Sequence, residues 1–209
     1  RGRPVDMEMT VPATPVKARR MLPVFQAMTS SFVDLSIQAA EGAGRNISCK
    51  KGCDACCRQA VPLAEIEVYE IADLVENLPE PRRTEIKRRF EEGCRRFHEN
   101  GWFDRLDDYA RLSFDERGQI IKDYFYENVA CPFLEEQSCS IQPDRPIGCR
   151  EYLVTSPAEN CSRPSNETIR MVDMPIQPSK SLRYVGRGNP GRVNFVPMIR
   201  ALEWAEKMP

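Results

Sequence analysis

The sequence predicts a mostly α-helical protein with small β elements, arranged around irregular chain that carries most of its cysteines. Three observations lead there. Several segments place apolar residues at the i, i+3, i+4 spacing of a buried helix face. Eight of the nine cysteines fall into two remote groups, Cys49, Cys53, Cys56 and Cys57 in the string CKKGCDACC, and Cys131, Cys139, Cys149 and Cys161 further on. The 17 prolines gather near both ends and around the second group, which marks ordered but non-repetitive chain.

In chain order, residues 1–16 hold Pro4, Pro12 and Pro15 among short apolar side chains and read as an extended arm, frayed or laid on a partner. Residues 17–209 read as a single helical cysteine-cluster domain. From Leu22 to Glu41, a stripe of Leu22, Phe25, Met28, Phe32, Leu35 and Ala39 predicts an amphipathic helix, with Pro23 tolerated in its first turn and Gly42 and Gly44 ending it. That helix delivers the chain to Cys49. Pro62 then opens a second helix, turning Leu63, Ile66, Ile71, Leu74 and Leu78 inward until Pro79 and Pro81 stop it; a third runs to Asn100-Gly101. Residues 114–128 form a fourth, with Ile120, Ile121, Tyr124 and Phe125 towards the core. Beyond it the period changes. Phe133-Leu134 and Cys139–Ile141 flank the polar turn 135–138 as a short hairpin, residues 168–176 and 182–185 read as strands, and 197–208 as a closing helix.

Charge narrows the partners. With 30 basic and 31 acidic residues, the net charge of −1 gives no global field for nucleic acid or membrane. The basic run Lys87, Arg88, Arg89, Arg95 and Arg96 is interleaved with Glu85, Glu91, Glu92 and Glu99, a solvated face rather than a nucleic-acid patch. No stretch approaches the roughly 20 apolar residues of a membrane span, and RGRPVDMEMT lacks the apolar run of a secretory signal. A disulfide framework is the rival account of the cysteines. Against it, 209 residues can bury a core without staples, adjacent Cys56 and Cys57 do not readily pair, and nine is odd. A reducing, cytoplasmic setting is therefore expected.

Metal chemistry explains the clustering better. Thiolates are soft, charged donors suited to zinc and iron-sulfur centres, and short intervals on a tight turn aim several sulfurs at one point about 2.3 Å from a metal. Gly52 stands where that turn is needed, and Lys50, Lys51 and Arg58 are placed to offset sulfur charge. Cys56 and Cys57, being neighbours, are expected to point in different directions, leaving one for a second metal or as a reactive thiol. Arg145 and Arg150 flank Cys149 and either neutralise a thiolate centre or satisfy carbonyls of a loop crowded with Pro143 and Pro146.

CKKGCDACC and the stretch from Cys131 to Tyr152, CPFLEEQSCSIQPDRPIGCREY, together resemble the two signatures of the YkgJ-like cysteine cluster family, a zinc- or iron-chelating domain. The resemblance covers residues 49–152 and implies Cys49, Cys53, Cys56, Cys57, Cys131, Cys139 and Cys149 as ligands. Cys161 lies outside both signatures and joins the set by spacing alone. The resemblance implies metal binding without fixing an activity; flagellin lysine methylases contain a similar cluster, in longer chains.

Cys49, Cys53 and Cys56 also satisfy CxxxCxxC, the spacing with which radical S-adenosylmethionine enzymes hold a 4Fe-4S cluster. Those enzymes need alternating strands and helices after the motif, whereas 62–128 reads as consecutive helices. The spacing nonetheless favours an iron-sulfur cluster over zinc, whose sites more often arrive as CxxC pairs. His98, the single histidine, sits among Arg95, Arg96 and Glu99 and reads as a solvated side chain, while Cys94 on the same helix reads as a packing residue. The expected protein binds a metal ion or cluster through a structural or electron-carrying centre. The alternatives are an enzyme modifying a protein or peptide at that centre, and a metal-stabilised module that binds a partner.

Overall fold

Leu22–Gly42 forms α1, the first helix of a computed structural model that describes residue 6 and residues 8–165, 167–185 and 195–207. Its buried face is Leu22, Thr29, Phe32, Ser36 and Ala40. This stripe is rotated from the expected one, since Leu35 is 42 % exposed and Ala39 also faces solvent. Small polar residues can enter because the helix meets its own needs: Thr29 Oγ1 donates to the Phe25 carbonyl at 2.8 Å.

The expectation that Pro62 opens a helix fails. Pro62–Leu63 is strand β1, and the next helix, α2, is Glu65–Glu76. What periodicity could not show is the partner: β1 pairs antiparallel with Val196–Pro197 near the other end of the chain, and the Met198 N–H donates to the Val61 carbonyl at 2.9 Å. A proline is tolerated in so short an edge strand because the ladder does not need its missing N–H. Glu67, at the third position of α2, reaches back to accept from the Ala64 N–H at 2.9 Å, one half of a capping box. Its other oxygen accepts from the Ile147 N–H at 2.8 Å. One buried carboxylate thus ties the start of α2 to the segment carrying Cys149.

Helix α3, Arg82–Glu99, turns Ile86, Phe90, Gly93, Cys94 and Phe97 inward. Its outer face is solvated, as expected, and bears ion pairs, Arg88 and Arg89 with Glu85 and Arg95 with Glu92 and Glu99. Gly93 permits a close crossing, because a Cβ there would lie 2.4 Å from Ile199 Cδ1. Gly101 then takes a left-handed φ of 67° and the chain restarts at once as α4, Trp102–Asp107, a helix too short to leave a period in the sequence. Trp102 and Phe103 pack on Phe97, as does Tyr124 of α5, Phe114–Tyr126. Ser113 and Glu116 form the capping box that starts α5.

The hairpin is present but tighter than expected. Strands β2, Leu134–Glu135, and β3, Ser138–Cys139, are joined by the two residues Glu136 and Gln137, with φ of 48° and 59°. Helix α6, Ile147–Glu151, follows and packs against α1. The strands expected at 168–176 and 182–185 are absent. A single bridge joins Met171 to Val154, Pro175 and Pro178 deny further ladder donors, and Leu182 ends helix α7, Pro178–Leu182. Glu151 anchors α7 by accepting from the Ser179 N–H at 2.9 Å and hydroxyl at 2.5 Å. The closing helix α8 is Ala201–Lys207, preceded by strand β4, Val196–Pro197, and a 3-10 turn; residue 208 lies outside the described residues.

Residues 1–5 and 7 of the expected arm also lie outside the described residues, and 8–15 are exposed without regular structure. The main core joins Leu63, Val68, Ile71, Val75, Ile86, Phe90, Phe133, Ile141, Met198 and Ala201, with Cys131 and Cys139 packed against it. Among the described residues, no helix is long and apolar enough to cross a membrane.

Candidate metal centre

Local turns bring the first cysteines together. Gly52, with φ of 85°, makes the bend at which the Cys53 N–H donates to the Lys50 carbonyl, and the 3-10 turn Ala55–Arg58 carries Cys56 and Cys57. The second segment is then clamped on: the Cys131 N–H donates to the Cys57 carbonyl at 2.7 Å, and the Gly52 N–H reaches Ser138 Oγ at 3.3 Å. The β2–β3 hairpin presents Cys139, and α6, fixed through Ile147 to Glu67, presents Cys149. Cys49, Cys53, Cys56, Cys57, Cys131, Cys139 and Cys149 thereby line one cavity of about 690 Å³. Cys161 does not line it. It is 3 % exposed, packed with Ala55 and Val154 behind Cys49.

The two arginines separate in the same way. Arg150 is used up on carbonyls, donating to Arg145 O at 2.8 Å and to Pro143 O, and does not line the cavity. Arg145 lines it, and its buried Nε has no hydrogen-bond partner among the described residues. Lys50 and Lys51 also border the cavity, whereas Arg58 is paired with Asp54 at 2.8 Å.

Cys56 and Cys57 do not point apart. Both line the same cavity, and each shifts the other: Cys57 beside it and the Arg145 charge bring the Cys56 thiol down to about 7, while Cys57 is pushed up by Cys56 and by burial. Burial pushes Cys131 up to about 12, raises Cys139 and raises Cys149 strongly. So many buried thiols resist ionising together unless a cation balances them.

The surroundings fit such a cation. The donors are all sulfur, the choice of zinc and iron-sulfur centres. Backbone N–H groups are already aimed at sulfurs, from Phe133 to Cys131, from Ile141 to Cys139 and from Val154 to Cys49 at 3.4 Å. The Arg145 charge favours the ionised forms of Cys49, Cys56, Cys139 and Cys149.

A second donor group went unseen in the sequence. Cys94 Sγ, His98 Nε2 and a Glu203 carboxylate oxygen all lie within 4.8 Å of one another; among the described residues, no three cavity thiols approach each other so closely. His98 is therefore not merely solvated, being 2.6 Å from Glu203 Oε2, and Cys94, although packed in the core as expected, also donates to Glu203 Oε2 at 3.1 Å. The i, i+4 spacing of Cys94 and His98 was the available signal, but nothing local pointed to Glu203.

The family model CxxCxxCC, described as "Putative zinc- or iron-chelating domain", matches residues 48–169, more than half of the chain. The chain belongs to this family. The CxxCxxCC match extends past the two cysteine signatures to take in Cys161 and stops before α7. Between Cys49 and Cys53 this chain has three residues where the family pattern has two, and the left-handed Gly52 is among them. Neither the curated proteins nor the solved structures gave a match.

Proposed function

We propose that the cysteine-lined cavity holds an iron-sulfur cluster as a structural or electron-carrying centre. Sulfur spacing carries this reading. Four thiolates on one zinc ion stand about 3.8 Å apart, given metal–sulfur bonds of about 2.3 Å. The cavity thiols are spread more widely, with no three of them within 4.8 Å of one another among the described residues. A cluster distributes its thiolates over several irons, which suits such spacing.

The candidate ligands are Cys49, Cys53, Cys56, Cys57, Cys131, Cys139 and Cys149. Cys161 supports the wall behind Cys49 rather than facing the centre. When bound, the cluster would supply one-electron transfer or a covalent staple between the two segments. Arg145 opposes the accumulated sulfur charge, and the aimed N–H groups of Phe133 and Ile141 favour the thiolate forms.

A second reading, an enzyme acting on a protein or peptide beside the centre, is favoured by one observation. The cavity lies within the roughly 300–1,000 Å³ of small-molecule sites and includes Gln142, Tyr152 and Met198 as well as the thiols. Cys57 separates the two: loss of bound metal in Cys57→Ser marks a ligand, whereas full metal with lost activity marks a thiol serving a substrate. The leading reading is tested by anaerobic purification with iron, zinc and acid-labile sulfide analysis and a visible spectrum. Iron, sulfide and a brown colour are expected; a colourless zinc protein overturns the cluster.

A further inference from the structure

The geometry points to a second metal site, separate from the cysteine cavity, in which Cys94, His98 and Glu203 bind a divalent cation of the zinc class. Cys94 and His98 stand one turn apart on α3, so their side chains share a face. Glu203 comes from α8, which packs against α3. The three donors converge: His98 Nε2 lies 2.6 Å and Cys94 Sγ 3.1 Å from the same oxygen, Glu203 Oε2, and all three are within 4.8 Å. Ligands on a tetrahedral zinc with bonds of 2.0–2.3 Å stand about 3.3–3.8 Å apart. Small rotations at the tips of these side chains therefore admit an ion without moving either helix.

The surroundings hold the donors in place. Glu203 Oε1 is taken by Lys207 at 2.7 Å and Arg200 at 3.4 Å, which fixes the carboxylate and leaves Oε2 to face the sulfur and the imidazole. The His98 ring packs edge-on against Phe103, with centroids 4.7 Å apart, so its orientation is set by the core. Thiolate, imidazole and carboxylate together suit zinc or cobalt better than calcium or magnesium. Cys94 is buried while the His98 side chain is 48 % exposed, so a fourth position opens to water, the three-ligand pattern of zinc sites that do chemistry. None of the three residues borders the cysteine cavity, and Glu203 lies outside the matched family region.

The bare network competes as a set of ion pairs around Glu203, and the test distinguishes them. Protein purified with its cysteine centre loaded is titrated with cobalt(II) alone, following visible absorption and bound cobalt in the wild type, His98→Gln and Glu203→Gln. His98 is half-exposed, so its replacement leaves the core intact. The wild type should take up one further equivalent with tetrahedral absorption and thiolate charge transfer. Because losing an outer partner alone weakens metal sites about 10–100-fold, loss of a ligand should weaken cobalt binding by more than about 100-fold in each variant. Equal uptake and an unchanged spectrum in His98→Gln would assign the cobalt to the cavity thiols and overturn the site, as would a wild type that takes up none. This outcome is independent of what the cysteine cavity holds.

Discussion

Helices α2 and α3 and the cysteine-bearing stretch from 129 to 162 meet in the same core but reach it by different means. The helices carry long apolar stripes, Val68, Ile71 and Val75 facing Ile86 and Phe90, under a solvent face tied by ion pairs. The stretch 129–162 contains a two-residue hairpin, one five-residue helix and 3-10 turns, and commits only Phe133, Ile141, Ile147 and a few others to packing. Its other side faces a cavity lined with thiols. Periodic chain offsets its ordering entropy by burying a face, whereas irregular chain needs a stronger tether per residue.

Metal removal should break this symmetry most. In structural zinc sites the metal supplies on the order of 10 kcal/mol of folding free energy, so stripping the centre should expose the amides of 129–162 to fast exchange while α2 and α3 stay protected. Hydrogen exchange before and after chelation reads this directly; uniform loss across the chain would mean that both regions form one cooperative unit. On the helical side, Phe97→Ala should cost about 3–5 kcal/mol, because Phe97 is fully buried among Trp102, Phe103 and Tyr124. Denaturant melts should show that loss with metal content unchanged.

Glu67 joins the two regions. Glu67→Leu leaves the Ala64 and Ile147 N–H groups without acceptors, at about 1–3 kcal/mol for each buried group left unpaired. Because Ile147 opens the helix bearing Cys149, metal content should fall together with stability; a stability loss with full metal would show that Cys149 is positioned independently. Ser113→Ala, which removes the cap of α5 far from the thiols in sequence, should cost only about 1 kcal/mol and leave metal binding intact.

Much of the helical half was legible in the residues. Helices α1, α3 and α5 follow their spacing and stop signals, since a helix satisfies its backbone locally and shows its buried face as a period. The stripe of α1 was misplaced because Thr29 and Ser36 are buried where apolar residues were sought. Strand β1 was missed because a two-residue strand is defined by its partner, and β4 lies far along the chain. Within 168–176 the apolar residues Ile169, Met171, Val172, Met174 and Ile176 carry the strand signal, but Pro175 breaks the ladder and only Met171 forms a bridge.

By itself the sequence determined the donor chemistry, thiols in two remote groups with a single histidine, because residue type fixes which atoms can bind a soft metal. It also determined the helices, whose hydrogen bonds close within four residues. Only the tertiary structure decided which donors share a space: that seven thiols line one cavity while Cys161 stands behind it, that Arg145 faces the sulfurs while Arg150 serves carbonyls, and that Glu203 completes the pair of Cys94 and His98. Those outcomes depend on contacts between segments far apart in the chain, set by core packing and by buried anchors such as Glu67 and Glu151, and contacts of that kind leave no period in a sequence.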